Sequence, residues 1–476
     1  MTVLAEFEKN SIERAINEIF DKYGYGKQAE KLLEKIGVVS ENAGFHAFLI
    51  GGFPRDIIIY ILKSTPETSN KFKSSEIFEP NPRFLDLDIA IKGSAEELAR
   101  LIKENKNLKF KPNYLRTHKK FGTASLEFLI GGIPLKIDLA SLRTEVYKKP
   151  GMLPAVSSGK AGLEEDIRRR DFTINTVAFS VGRKDFLEIK DYSLGIRDIL
   201  KKKISVMHGL SFIDDPTRMF RAVRFEKRLG FHIDGKTLKL VKTALDKNIL
   251  DNISGKRIVA ELYLMFNEKK PWACLERLDG LGIMRSIYER LSFRKENKTV
   301  FKKIFAYFNN MHKESKIRSV CRDIDINLFY MADLFYGLDD FELHETVDRL
   351  NMGQKIEKTL KAIYCDIKKI NSLKLNIDGI YDKLNKIDVK SVLFYFFQDF
   401  GRTESDLNFR KIIVRYLNKI IFIKPYLNGN DIKSMGICEG PLCGKILNEI
   451  KLLKIEGRLK SKKDELIYIK KKYIKN

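Results

Sequence analysis

Cysteine, histidine and tryptophan are scarce in this chain of 476 residues, at five, six and one copies. The cysteines (Cys274, Cys321, Cys365, Cys438 and Cys443) are scattered, odd in number and never at C-x-x-C spacing, which argues against both a structural zinc site and a secreted disulfide framework. They read as incidental thiols in a reducing cytoplasm. The histidines form neither an H-x-x-x-H nor an H-E-x-x-H pattern, so no helical zinc motif is present. No apolar run reaches the roughly 18 residues of a transmembrane helix. The opening residues, Met1-Thr2-Val3-Leu4-Ala5-Glu6, hold no apolar core of signal-peptide length. The expectation is a cytoplasmic protein without a membrane partner.

Positive charge, by contrast, is in excess. Lys and Arg number 88 against 63 Asp and Glu, a formal charge of +25. That balance suits a polyanionic partner, with nucleic acid ahead of an anionic membrane surface. A lysine-rich genome that simply solvates the surface is the competing account. The length and a 44% hydrophobic content predict two or more domains with full cores.

Apolar periodicity divides the chain. Residues 10–43 read as helices, with Ala29, Leu32, Leu33 and Ile36 on one face. Phe45–Ile50 reads as a short strand running through Gly51-Gly52 into a helix, Arg55–Leu62. Residues 64–83, rich in Ser, Thr, Pro, Asn and Lys, read as a loop or disordered insertion. A strand over 84–91, an amphipathic helix over 94–105, and strands over 122–130 and 134–140 around a Gly131-Gly132 turn complete an α/β pattern to about residue 200. After about 210 the pattern is helical, and residues 451–476 are strongly basic.

The strand Phe84–Ile91 carries the sharpest chemical signal. Alternate strand residues share a face, so Asp86 and Asp88 lie side by side with Leu and Ile behind them. Two adjacent anions resist desolvation and repel each other. A divalent cation with oxygen-only ligands, Mg²⁺ above all, resolves that conflict; a polar face at a sheet edge is the bland alternative. A third carboxylate would help hold two metals, and Asp138 is the candidate, with Glu127 behind it. Either could instead be an outward-facing strand carboxylate.

Three further segments suggest a nucleotide. Gly51-Gly52 between strand and helix lets the backbone approach a phosphate at a helix N-terminus, with Arg55 alongside. Arg168-Arg169-Arg170-Asp171, followed by Thr173 and Asn175, supplies guanidinium forks for phosphate and polar groups for a ribose, or forms a surface ion-pair cluster. Arg218, Arg221 and Arg224 recur every three residues along a helix that begins near Asp215. Asp215 could cap that helix. It could also accept from the exocyclic amine of a base while Arg218 donates to the ring nitrogen. Cytosine and adenine both present that pattern, whereas uracil and guanine do not.

These segments resemble, in order, the motifs of the class II tRNA nucleotidyltransferases (CCA-adding enzymes) and the related bacterial poly(A) polymerases: Leu49–Asp56, Leu85–Ala90, Arg168–Thr176 and Asp214–Phe225. Asp191–Asp198 resembles the family hinge motif. Ile253–Ile258 with Glu261-Leu262 resembles its neck helix. Pro54 stands where the family usually has Val, and Asp214 where it usually has Glu. The resemblance implies an α+β fold: a DNA polymerase β-like nucleotidyltransferase head with a mixed sheet and helices, followed by an all-helical neck, body and tail. It implies a helical segment at 1–45, a head at 46–200, a neck of nucleotide-selecting helices at 201–290, and a body and tail at 291–476. Asp86 and Asp88 are assigned to Mg²⁺ and, with Asp138, to catalysis. Gly51, Gly52, Arg55, Arg169, Arg170, Asp171, Asn175, Asp215, Arg218, Arg221 and Arg224 are assigned to the nucleotide. The implied activity is template-independent addition of C, A or both to tRNA from CTP and ATP, with the tRNA acceptor stem and elbow along the helical body. A poly(A) polymerase is the alternative, as is a member adding only CC or only A. Leu427–Ile432 with Gly436 and Gly440–Leu447 resembles the tail of the tRNA-repair members, and Arg143–Tyr147 through Pro150–Pro154 resembles their flexible-loop region.

Overall fold

The computed structural model describes residues 7–73, 85–158, 161–310, 324–374, 379–398, 403–437 and 440–474. They form two compact units, Met1–Glu289 and Arg290–Asn476. Among the described residues no helix is long and apolar enough to cross a membrane.

The first unit is built on a mixed sheet. Its strands are β1 (His46–Ile50), β2 (Leu85–Lys92), β3 (Pro112–His118), β4 (Thr123–Ile130) and β5 (Ile133–Ser141). A separate hairpin, β6 (Arg143–Val146) with β7 (Ala155–Ser158), follows, and then β8 (Ala178–Ser180) and β9 (Ile189–Lys190). The seven-stranded order is β3-β4-β5-β2-β1-β8-β9. Among the described residues of this sheet β2 and β5 pair in parallel and the other neighbours are antiparallel. In β2 the period of two is realised residue by residue: Leu85, Leu87, Ile89 and Ile91 are buried, while Asp86 and Asp88 stand on the open face, reached by solvent yet set among the atoms of the neighbouring strands. Helices Lys27–Asn42 and Ala95–Glu104 cover the apolar face of the sheet. The second of these is capped by the Ser94 hydroxyl, which accepts from the Glu97 N–H.

The N-terminal helices also fix the strand that carries the aspartates. Tyr25, fully buried, accepts from the Leu85 N–H at 3.0 Å and donates to the Pro134 carbonyl at 2.7 Å. One phenol thus joins the first residue of β2 to the start of β5.

Three sequence expectations are corrected. Pro66–Phe72, expected within a loop, is a helix. Pro66 suits a helical first turn, and burial of Phe72 against Phe231, with ring centroids 6.3 Å apart, holds the segment down. Residues 74–83 of that expected insertion, and Phe84, lie outside the described residues. Strand β3, whose pattern is mostly exposed, carried no apolar alternation and was not expected. The half beyond residue 210 is not purely helical: His232–Ile233 pairs in parallel with Lys203–Ile204.

Elsewhere the helical expectation is met by Thr217–Leu229, Gly235–Asp246, Gly255–Phe266 and Pro271–Gly280. The first of these packs on the last two. The second unit is helical throughout its described residues, around an aromatic core that includes Phe301, Phe329, Tyr330, Phe394 and Phe397. Its end, with helices Gly429–Ser434, Pro441–Ile455 and Lys462–Tyr473, encloses its own apolar cluster of Leu427, Ile432, Ile446, Ile450 and Ile469. Buried Glu465 accepts from the N–H groups of Tyr426 and Leu427, so part of the basic tail is folded structure.

Candidate active site

The open face of the sheet aligns two rows of polar side chains. Asp88 on β2 is the register partner of Asp138 on β5, and Asp138 that of Ser125 on β4. One step along, Asp86 pairs with Lys136, and Lys136 with Glu127. The geometry therefore brings Asp138 beside Asp88 and leaves Glu127 one strand further out. Asp138 accepts from the Ser125 hydroxyl at 2.5 Å and from Lys136 Nζ at 2.7 Å. Lys136 Nζ is 4.0 Å from Asp86.

Charge crowding shows in the acidities. Burial among protein atoms, then the charge of Asp138, raises the pKa of Asp88 against the opposing pull of Arg170. Burial raises Asp86 as well, with Lys136 opposing and Asp138 adding. For Lys136, burial would lower the pKa, but the hydrogen bond to Asp138 and the charges of Asp138, Asp86 and Asp88 outweigh it and raise it. The amine is a cation already drawn to these carboxylates.

Among the described residues no three His, Cys, Asp or Glu side chains converge as a metal cage. Mg²⁺ ordinarily takes one or two carboxylates, with water and substrate phosphates completing its octahedron, and Asp86 and Asp88 on one face of β2 are donors of that type. Two strand carboxylates held above their normal pKa by burial and by one another's neighbours fit such an ion.

Gly51 borders this pair. Its φ is +86°, and a Cβ there would sit 3.3 Å from Asp88 Oδ2. The helix Gly52–Ser64 starts immediately after it, with Pro54 in the first turn. Arg55 is buried rather than open: it donates to Asp56 at 2.7 Å and to Asn175 Oδ1 at 2.6 Å. Asn175 in turn donates to Asp171, whose other oxygen takes a two-pronged bond from Arg221 at 2.9 and 2.6 Å. Burial would raise the pKa of Asp171, but Arg221 and the bonds from Asn175 and the Phe172 N–H hold it below the usual range. The guanidinium groups of Arg55, Arg221 and Arg224 surround the ring of Phe225 at 5.2, 5.5 and 5.3 Å.

The arginine run divides by role. Arg168 is exposed and pairs with Glu164. Arg169 and Arg170 each fork onto the buried Asp166, and Arg169 also reaches Glu145 at 2.8 Å. Asp166 is held below its normal pKa: burial would raise it, and the charges and hydrogen bonds of Arg170 and Arg169 prevail.

Asp215 Oδ1 accepts from the Thr217 N–H and hydroxyl and from Arg257 at 2.8 Å. Oδ2 takes no hydrogen bond among the described residues. Arg257 also donates to the Gly151 carbonyl, in the connection between β6 and β7. Arg218 is buried and donates to Ser211 Oγ at 2.7 Å and to the Arg169 carbonyl at 2.8 Å. Tyr147 stands close by. Burial pushes its phenol up to about 12, with Arg218 opposing and Glu145 and Asp215 adding. Arg224 and Glu261 face each other at 3.9 Å, with Arg224 Nε and Glu261 Oε2 buried and unbonded among the described residues.

Sequence reasoning passed over Lys136, Glu145, Asp166, Ser211 and Arg257. Lys136 and Asp166 were within reach, the first two residues from Asp138 on a strand, the second three and four residues from Arg169 and Arg170 on a helix. Glu145 and Arg257 lie within the segments that resemble the flexible-loop and neck motifs but were given no individual role there; Ser211, which acts across the fold, left no local signal.

A mixed sheet with paired strand carboxylates at its open face and an arginine-lined helix beside it is a nucleotidyltransferase architecture. Residues 47–205 match the family described as the poly A polymerase head domain, and residues 230–293 the one described as the probable RNA and SrmB-binding site of polymerase A. Over most of its length the chain is similar to A-adding and CCA-adding tRNA nucleotidyltransferases. It is 28% identical over 446 residues to the A-adding tRNA nucleotidyltransferase of Geobacter sulfurreducens, covering 91% of this chain and 46% of that protein. The chain thus spans about half the length of that relative. With the A-adding tRNA nucleotidyltransferase of Halalkalibacterium halodurans it shares 27% identity over 440 residues, 92% of this chain and 91% of that one. A solved structure of the Thermotoga maritima CCA-adding enzyme complexed with tRNA has the same fold, with a TM-score of 0.67 at 23% identity, over 92% of this chain and 94% of that one.

Proposed function

We propose that this chain is a Mg²⁺-dependent, template-independent nucleotidyltransferase that adds A, C or both to the 3′ end of tRNA, using ATP and CTP. The observation that carries the reading is the row of Asp88 and Asp138 beside Asp86 on the polar open face of the sheet, bordered by Gly51. Asp86 and Asp88 would hold Mg²⁺, which when bound lowers the pKa of a hydroxyl and offsets phosphate charge. The RNA 3′-hydroxyl gives up its proton to solvent as its oxygen bonds to the α-phosphorus, the bond from that phosphorus to the bridging oxygen of the β-phosphate breaks, and pyrophosphate leaves. Asp215 Oδ2 accepts from the amine of C or A, and Arg218 donates to the adjacent ring nitrogen. Arg169, Arg170, Arg221 and Arg224 supply positive charge to the triphosphate. Asp171, Asn175 and Arg55 form the hydrogen-bonded floor beneath it. On this reading residues 46–200 are the catalytic head, 201–290 the selecting neck, and the helical remainder docks tRNA.

The test is incorporation of each of the four nucleotides, supplied singly, into tRNA transcripts ending before CCA, after the first C and after CC. The reading expects C, A or both, then arrest. Equal use of UTP and GTP, or unlimited A addition to unstructured RNA, would refute it.

A further inference from the structure

We infer that Ser211 is a positioning residue for nucleotide choice, because it fixes which N–H groups of Arg218 are left to read a base. The inference rests on the proposed reading of Asp215 and Arg218 as the base-selecting pair.

Ser211 is completely buried and opens the short helix Ser211–Asp214, four residues before Asp215. Its backbone is fixed at both ends: its N–H donates to the His208 carbonyl, and its carbonyl accepts from the Asp215 N–H. Its hydroxyl oxygen accepts from Arg218 Nη1 at 2.7 Å. The second anchor is the Arg169 carbonyl, which accepts from Arg218 Nη2 at 2.8 Å. Arg169 is itself immobilised by Asp166 and Glu145.

A guanidinium has five N–H donors in one rigid plane. With Nη1 and Nη2 each anchored outside the helix that carries Arg218, rotation of that plane is blocked. The three remaining N–H groups then each hold a fixed direction in that plane. Discrimination between C or A and U or G depends on a donor meeting a ring nitrogen rather than a ring N–H, so it depends on that direction. A guanidinium free to turn could meet O4 of uracil or O6 of guanine as readily. Ser211 also ties the orientation of Arg218 to the placement of Asp215, since its hydroxyl accepts from the first and its carbonyl from the N–H of the second.

The experiment is the ratio of kcat/KM for ATP and CTP over UTP and GTP on tRNA acceptors. It compares wild type, Ser211→Ala, Arg218→Ala and the double variant, with melting temperatures recorded. Loss of a hydrogen bond to a charged group is expected to reduce the ratio about tenfold or more in Ser211→Ala. It is expected to change nothing further in the Arg218→Ala background, because the serine acts only through the arginine. Selectivity lost in Arg218→Ala but kept in Ser211→Ala overturns the inference alone, as do effects that simply add in the double variant. Selectivity that survives Arg218→Ala removes the base-reading pair and the inference with it. If Ser211→Ala melts below the assay temperature, Ser211→Cys, nearly the same size with a poor acceptor, reads the same ratio.

Discussion

Asp88 and Asp138 stand opposite each other in register across the parallel strand pair β2–β5, and the charge of Asp138 is, after burial, the next cause of the raised pKa of Asp88. A carboxylate whose pKa is raised on folding binds its proton more tightly in the folded chain. Its favourable contribution is complete below the unfolded pKa and is lost as pH rises through the folded one. At neutral pH the ionised Asp88 therefore opposes folding. Asp88→Asn is expected to raise the melting temperature of the metal-free protein at pH 8, with the gain shrinking toward zero below the ordinary carboxylate range, while nucleotide incorporation is lost. Thermal melts in chelator across that pH range check it; an unchanged or lower melting temperature at pH 8 would contradict it.

Gly51→Ala combines two costs. The residue sits at φ +86°, and the added methyl would meet Asp88 Oδ2 at 3.3 Å. A loss of about 1–2 kcal/mol in urea unfolding is expected from the left-handed conformation. Incorporation should fall further than stability accounts for, because the methyl intrudes on the carboxylate pair. Wild-type stability in this variant would show that the turn is not constrained as described.

In the second unit, Asp333 is buried between Asn297, which donates at 2.9 Å, and Gln398, which donates at 3.3 Å. Burial pushes its pKa up to about 7 despite those donors. The stabilising protonated form is thus complete below the unfolded carboxylate pKa and is lost as pH rises from there through about 7. Asp333→Asn keeps the shape and removes the titration; Gln398 can turn its amide to accept from the new one. A gain of about 5 °C in melting temperature at pH 8, and little at pH 4, is expected. An equal gain at both pH values would contradict the assignment.

Local order made part of this site legible in the sequence. Asp86 and Asp88 could be placed on one face because the period of two is carried by their immediate neighbours, Leu85, Leu87 and Ile89. The helical spacing of Arg218, Arg221 and Arg224 was equally local. Asp138 was legible as the candidate third carboxylate, but its register with Asp88 was not, because that depends on β5 inserting between β4 and β2. The burial of Arg55 against Asn175, 120 positions away, was hidden for the same reason. So was the hydroxyl of Tyr25, which joins β2 to β5 from a helical segment that carried no motif. Pro66–Phe72 misled because its polar composition outweighed the one residue, Phe72, whose burial holds the helix in place.

The central claim is that Asp86 and Asp88 support nucleotidyl transfer to tRNA. It is tested most directly by single-turnover incorporation of labelled ATP and CTP into tRNA lacking its 3′ terminus, comparing wild type with Asp86→Ala in the presence of Mg²⁺ and measuring tRNA affinity in parallel. The account predicts incorporation by the wild type, its abolition in Asp86→Ala, and tRNA binding within a fewfold of wild type in both. Appreciable incorporation by Asp86→Ala, or none by the wild type, would contradict it.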